Sequence, residues 1–167
     1  SSDTAVHFQG GQPTDLAYAL DAWIIIADSG EEGSTLETVT HVRSRYNADP
    51  TATGVVLDRL GAITGEVVDD MRAGDIVDMG DRMTEAHHLL AGLGVSDERL
   101  DAMVAAAVAA GALGAKLTGG GRGGCVIALA GDETEAHRVE EALVLAGAAS
   151  TWVHAPQPGS FAGEGAR

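Results

Sequence analysis

Lysine is almost absent from this sequence of 167 residues: Lys116 is the only one, and the other nine basic residues are arginine. Basic residues are scarce altogether, because 10 of them stand against 25 acidic residues and the formal net charge is −15. Surfaces that bind nucleic acid or anionic membranes need a basic patch, so this balance argues against both kinds of partner.

Cysteine and long hydrophobic runs are also lacking. Cys125 is the only cysteine, which excludes an internal disulfide, and no zinc-ligand spacing is present. No apolar run approaches the ~20 residues of a membrane-spanning helix, and no basic-then-apolar signal peptide opens the chain. We therefore expect a cytoplasmic protein without a metal site of its own.

Glycine is concentrated in one stretch. Residues 116–125 read Lys-Leu-Thr-Gly-Gly-Gly-Arg-Gly-Gly-Cys, between two short apolar runs. This pattern predicts a strand, a glycine loop and a second strand. Because glycine has no Cβ, its backbone can approach a ligand closely. Successive N–H groups in such a loop form a concavity that binds anions, so phosphate is the expected ligand. The alternative is a glycine-rich hairpin with an incidental lysine.

The loop is not a Walker A sequence, because its lysine precedes the glycines. The candidate phosphate-binding residues are Lys116, Thr118, Gly119, Gly120, Gly121, Arg122, Gly123 and Gly124. Alternative roles stay open for three positions. Thr118 can be an ordinary strand-end residue, Lys116 can pair with a nearby carboxylate, and Cys125 is expected to pack as a small buried hydrophobe rather than act as a nucleophile.

Apolar runs and glycine punctuation predict four main strands, at residues 23–27, 113–117, 126–129 and 151–154. Helices are predicted from about 36 to 46, 53 to 72, 76 to 92, 96 to 108 and 132 to 146. Strand, helices, strand, strand, helix and strand form a split β-α-β unit. The expected fold is α+β, a ferredoxin-like plait with extra helices in the first crossover and helices on one sheet face. Residues 1–155 form this domain, and 156–167 a flexible tail.

Four local patterns add expectations. Leu36, Val39, Val42 and Tyr46 form an apolar stripe on the first helix, and residues 49–51 break the chain after it. The Asp69-Asp70 pair is expected on a solvated helix face. The adjacent His87 and His88 point about 100° apart on a helix, so they do not suit one metal ion.

Residues 116–125 resemble the third conserved motif of the GHMP kinases, close to K-x-T-G-A-G-x-G-G-C, with Gly120 at the alanine position. A second segment strengthens the likeness. Residues 26–30 (Ile-Ala-Asp-Ser-Gly) and 33–35 (Gly-Ser-Thr) look like the I-A-D-T-G…G-S-T segment of the mevalonate kinase subgroup. The resemblance implies that Ser29, Ser34 and Thr35 border a substrate pocket. Helix capping is the alternative role for Ser34 or Thr35.

The same resemblance implies a function. GHMP kinases transfer the γ-phosphate of ATP·Mg²⁺ to an alcohol, which in this subgroup is the 5-hydroxyl of mevalonate. Their N-terminal half carries a first nucleotide loop, P-x-x-x-G-L-G-S-S-A, together with the catalytic carboxylate and a basic partner. That motif occurs nowhere in this chain. We therefore expect a C-terminal half with no catalytic residue of its own, inactive without the missing N-terminal half.

Two alternatives to this function remain. A phosphomevalonate or homoserine kinase half would share the glycine loop. A non-catalytic module would bind phosphate weakly or associate with itself, for example as a homodimer through apolar surface that normally faces another domain.

Overall fold

The computed structural model describes residues 5–16, 18 and 20–156. Its elements follow in this order: β1 (Ala5–Gln9), β2 (Gln12–Leu16), β3 (Trp23–Asp28), α1 (Thr35–Ala48), α2 (Pro50–Ala73), α3 (Ile76–Gly92), α4 (Glu98–Ala109), β4 (Gly114–Thr118), β5 (Cys125–Ala130), α5 (Glu133–Leu145) and β6 (Ser150–His154). No helix in these ranges combines the length and the hydropathy needed to cross a bilayer. Residues 157–167 of the predicted tail lie outside the described residues, and the domain boundary at 155 stays a prediction.

The main sheet has four antiparallel strands in the order β4-β5-β3-β6. Its second and third strands in chain order, β4 and β5, are adjacent, and its first and last, β3 and β6, pair with each other. This is the split β-α-β plait that the sequence predicts, with the extra helices in the crossover between β3 and β4. The predicted fold class is confirmed.

One face of this sheet is closed. Ile25, Val126 and Ala128 are all 0% exposed on it, and α4 and α5 pack over them. From those helices, Leu100 and Val139 are equally buried. Successive residues of a strand point to opposite faces, so this apolar set consists of every second residue along each strand.

The opposite face, called the open face below, is covered only in part. One cross-strand row on it runs Lys116, Ile127, Ile26 and Trp152. Trp152 is 48% exposed, whereas Ile127 and Ile26 are half-buried. A small second cluster around Met83 of α3 covers only part of this face.

Two segments form elements that the sequence prediction did not include. Residues 12–16, including Pro13, form a strand that pairs with β1 in a separate hairpin. A proline is tolerated there because the hairpin has only two strands, each with one unpaired edge. The segment at residue 49 starts a helix rather than a break: Asp49 accepts a hydrogen bond from the Ala52 amide at 2.9 Å, and Pro50 occupies the first helical position, where no N–H is needed.

One prediction of solvent exposure was wrong, and the predicted α1 stripe is covered unevenly. On that stripe Leu36 is 78% exposed and Val39 49%, whereas Val42 is half-buried and packs against the core. Asp70 is buried rather than solvated, and its carboxylate lies 3.3 Å from Arg82 Nε. Burial raises the pKa of Asp70 against the opposing attraction of Arg82. The neighbouring Asp69 is exposed as expected.

Candidate functional site

The glycine loop joins β4 to β5, as the sequence predicts, and Lys116 lies within β4 rather than in a helix. The loop backbone adopts left-handed conformations at Gly121, Gly123 and Gly124, with φ of +76°, +110° and +86°. Arg122 has φ of +53°, the only positive φ at a non-glycine residue in the described part of the chain. Such a path is strained for residues with a Cβ, which explains the density of glycine.

The loop is fixed on one side by the segment that follows β3. The Gly124 amide donates to the Glu31 carbonyl at 2.8 Å, and the Ser29 amide donates to the Gly124 carbonyl at 2.9 Å. A Cβ on Gly33 would overlap the Gly121 carbonyl. The two sequence segments predicted to form the site, about 90 residues apart, are therefore in direct contact.

The turn between α3 and α4 fixes the other side. The Arg122 amide donates to the Val95 carbonyl at 2.9 Å, and the Arg122 Nε donates to the Gly94 carbonyl at 2.9 Å. A Cβ on Gly121 would overlap the same Val95 carbonyl. The loop is thus held between two backbone segments. Two of its amides, those of Arg122 and Gly124, are occupied by protein acceptors.

The accessible edge of the loop is at its start. Gly119 is exposed, and Gly120 is half-buried; neither amide donates in any hydrogen bond within residues 5–16, 18 and 20–156. Gly120 lies against Thr35, the first residue of α1, and a Cβ there would overlap the Thr35 hydroxyl. Free amides beside a helix N-terminus favour an anion, because both present partial positive charge.

The other two residues predicted to border the pocket have local partners. Ser34 caps α1: its hydroxyl accepts from the Glu37 amide at 3.3 Å. Ser29 is 1% exposed, and its hydroxyl accepts from the Glu31 amide at 3.3 Å. Both hydroxyls shape the segment on which the loop rests.

Lys116 and Thr118 lie on the open face of the sheet, in successive cross-strand rows. The Lys116 ammonium donates to the Leu117 carbonyl at 2.7 Å. Across the described residues it forms no ion pair with a carboxylate, so the predicted alternative of a carboxylate partner is not seen. Burial lowers the pKa of Lys116, because its surroundings solvate the charged form poorly.

Cys125 pairs with Thr118 across the two strands that carry the loop. Burial raises the pKa of its thiol, and the nearby Asp28 carboxylate raises it further. A raised pKa disfavours the reactive thiolate. This agrees with a packing role for Cys125.

Residues 67–149 match the family model described as GHMP kinases C terminal. A mevalonate kinase of Thermococcus onnurineus is 36% identical over 148 residues, which cover 85% of this chain and 43% of that enzyme. The chain carries a GHMP kinase C-terminal domain. A Pyrococcus horikoshii mevalonate kinase is 38% identical over 112 residues, or 64% of this chain and 33% of that enzyme.

Solved structures agree with this assignment. The L. major mevalonate kinase, crystallised in complex with R-mevalonate, superposes with a TM-score of 0.83 at 26% identity, over 92% of this chain and 48% of that one. The described structure is a mevalonate kinase-like GHMP kinase C-terminal domain. The chain spans less than half the length of the mevalonate kinases that it matches.

Sequence reasoning missed a buried histidine behind this GHMP loop. His87 of α3 is 3% exposed; its Nδ1 lies 3.3 Å from the Leu117 amide nitrogen, and its Nε2 lies 3.1 Å from the Asp101 carboxylate. In the sequence, the adjacent pair His87 and His88 does not indicate these contacts. The contacts come from a strand and a helix that are distant in sequence, and local spacing does not encode them.

Proposed function

We propose that this chain is the C-terminal half of an ATP-dependent small-molecule kinase, and that the complete enzyme phosphorylates mevalonate to 5-phosphomevalonate with release of ADP. The observation that carries the proposal is the contact between the glycine loop and residues 29–35. That contact leaves the Gly119 and Gly120 amides accessible beside the start of α1. The GHMP family assignment and the similarity to mevalonate kinases support the substrate class.

The loop residues fit a nucleotide phosphate. The accessible amides of Gly119 and Gly120 and the Thr35 hydroxyl would donate to phosphate oxygens, and the Arg122 guanidinium adds positive charge on the same loop. Bound ATP supplies the phosphoryl group. Mg²⁺ at such sites is held mainly by the substrate phosphates, water and one or two carboxylates. We assign its protein ligands, the catalytic carboxylate and the basic partner to the N-terminal half.

This division of the site between two halves explains why we expect no catalytic turnover from the chain alone. Phosphoryl transfer needs the nucleotide, the metal and the acceptor held together, and here one wall of that site is present. A hydrogen bond to a charged group contributes ~1.5–3 kcal/mol before ordering costs. A few of them give roughly millimolar affinity for a nucleotide. The net charge of −15 opposes a polyanion further.

The test is a coupled assay of ADP release with mevalonate, on this chain alone and together with the segment that precedes it in its reading frame. We expect turnover on the usual kinase scale of ~1–100 per second only when both are present. Gly120→Ala should abolish most of this rate, because the new Cβ displaces Thr35. The control Gly65→Ala, on the exposed face of α2, should not. Turnover by this chain alone would overturn the proposal.

A second function rests on a separate observation. The α1 stripe and Trp152 leave apolar side chains exposed on two surfaces, which favours association. In this alternative the chain is a self-associating module without catalysis. A dimer that persists when the preceding half is added, with no turnover, would favour it.

A further inference from the structure

Strand β4, which leads into the glycine loop, lies at the edge of the sheet and is bonded to β5 on one side only. Its other side faces α3. Two side chains three residues apart on that helix accept hydrogen bonds from it: Thr84 Oγ1 accepts from the Ala115 amide, and His87 Nδ1 accepts from the Leu117 amide, each at 3.3 Å. Edge amides left unpaired in a buried setting are unfavourable, so α3 completes the strand.

The contacts of His87 fix its protonation state. An amide can only donate, so Nδ1 must be the unprotonated acceptor. The proton of the neutral ring is then on Nε2, where it faces the Asp101 carboxylate at 3.1 Å. Both nitrogens are satisfied, and the ring is 3% exposed. The Asp101 carboxylate therefore selects the tautomer that the Leu117 amide requires.

We propose that His87, oriented by Asp101, is a positioning residue that fixes the end of β4 and thereby the start of the phosphate-binding loop. Leu117 is 2% exposed and lies two residues before Gly119, the first accessible amide of that loop. The effect on the loop rests on the proposed function. The effect on β4 does not.

The geometry also predicts a response to pH. Protonation of His87 at Nδ1 places two donors against each other and breaks the bond from Leu117. Burial lowers the pKa of His87; Asp101 of α4 opposes this shift, while His88 on the same helix and Lys116 of β4 add to it. The bond should therefore persist at neutral pH and weaken as the pH falls below the ordinary histidine range.

The first test is amide hydrogen exchange of this chain by NMR, with the Ala115 amide as an internal reference. At pH 7.5, His87→Leu should accelerate exchange at Leu117 about tenfold relative to Ala115, in line with the loss of one buried hydrogen bond. His87→Asn retains an acceptor near the position of Nδ1 and should restore protection. In the unmodified chain, lowering the pH to 5 should reduce the protection factor of Leu117 more than that of Ala115.

Equal protection of Leu117 in His87→Leu and the unmodified chain would overturn the proposal. Equal acceleration at Leu117 and Ala115 would also overturn it, since that indicates general loosening. If His87→Leu does not fold, the pH series decides the question. Between pH 7.5 and 5, Leu117 should lose more protection than Ala115 in the unmodified chain but not in His87→Asn, and equal losses in the two chains would overturn the proposal.

The second test is the kinetics of the assembled kinase. His87→Leu should lower kcat about tenfold, and His87→Asn should recover most of it; an unchanged kcat in His87→Leu would contradict a role in positioning the loop. If the unmodified assembly shows no turnover, the proposed function fails. The exchange measurement still decides whether His87 fixes β4.

Discussion

The two faces of the four-stranded sheet use the same strands but differ in what covers them. On one face Ile25 is fully buried beneath α4 and α5. On the other, its neighbour Ile26 lies half-buried in a row that ends at the exposed Trp152. The closed face provides a core for the domain, and the open face leaves apolar area for another surface. Stability should therefore depend on the first face, and assembly on the second.

The largest expected effect comes from a matched pair on β3. Ile25→Ala should lower the free energy of unfolding by ~3–5 kcal/mol, because it removes a fully buried side chain and leaves a cavity. Ile26→Ala on the open face should lower it by only ~1 kcal/mol, because that side chain gains less from folding. Urea denaturation measures both. Equal losses would show that the two faces are equally covered.

The glycine loop contains the same contrast over two residues. Gly121 and Gly119 both have positive φ, but a Cβ on Gly121 meets the Val95 carbonyl, whereas one on Gly119 meets nothing within 4 Å. Gly121→Ala should destabilise the domain by ~2–3 kcal/mol, and Gly119→Ala by ~1 kcal/mol from backbone strain alone. Thermal and urea unfolding of the two variants measure this difference. If Gly119→Ala is the more damaging, the accessible edge has been assigned to the wrong end of the loop.

A smaller effect is expected at the covered edge of β4 on acidification. The pKa of His87 is lowered in the folded state, so below pH 6.5 the unfolded chain binds a proton that the folded chain excludes. Its contribution to stability is complete above pH 6.5 and is lost as the pH falls through the folded pKa, by at most ~1.4 kcal/mol per pH unit. Urea midpoints between pH 8 and 5 should fall more steeply in the unmodified chain than in His87→Asn. Parallel curves would contradict a neutral, buried His87.

The smallest effect is expected at Leu36, the most exposed residue of the α1 stripe. Leu36→Ser should change stability by no more than ~0.5 kcal/mol, because the side chain is 78% exposed. If the exposed stripe promotes self-association, sedimentation at high concentration should show less of it for this variant. A large loss of stability would mean that α1 is covered in solution.

The same contrast separates what the sequence predicts from what it does not. The run of isoleucines in β3 and the glycines of residues 119–124 predict their own structures, since strand formation and left-handed turns depend on local residue types. That the two segments meet at one site was predicted only from the family motifs, because the residue types of either segment do not predict a contact with the other.

Contacts that depend on distant elements were beyond local reasoning. The apolar stripe of α1 correctly predicted a helix but not which of its residues are covered, since burial depends on what packs against it: Leu36 is exposed, whereas Val42 packs against the core. Asp49-Pro50 looked like a break because the pair suits a turn and a helix start equally well. The bond from Leu117 to His87 joins residues 30 apart, and only the position of α3 along β4 creates it.

The central claim is that this domain supplies one wall of a phosphate site, open at the start of the glycine loop. The most direct measurement is an NMR titration of the chain with pyrophosphate and then with ATP·Mg²⁺. We predict the largest amide shifts at Gly119 and Gly120, and smaller ones at Arg122 and Gly124, whose amides already donate to Val95 and Glu31. Binding should be roughly millimolar. The claim would be contradicted if the shifts occur only at residues that belong neither to the glycine loop nor to the segment 29–35.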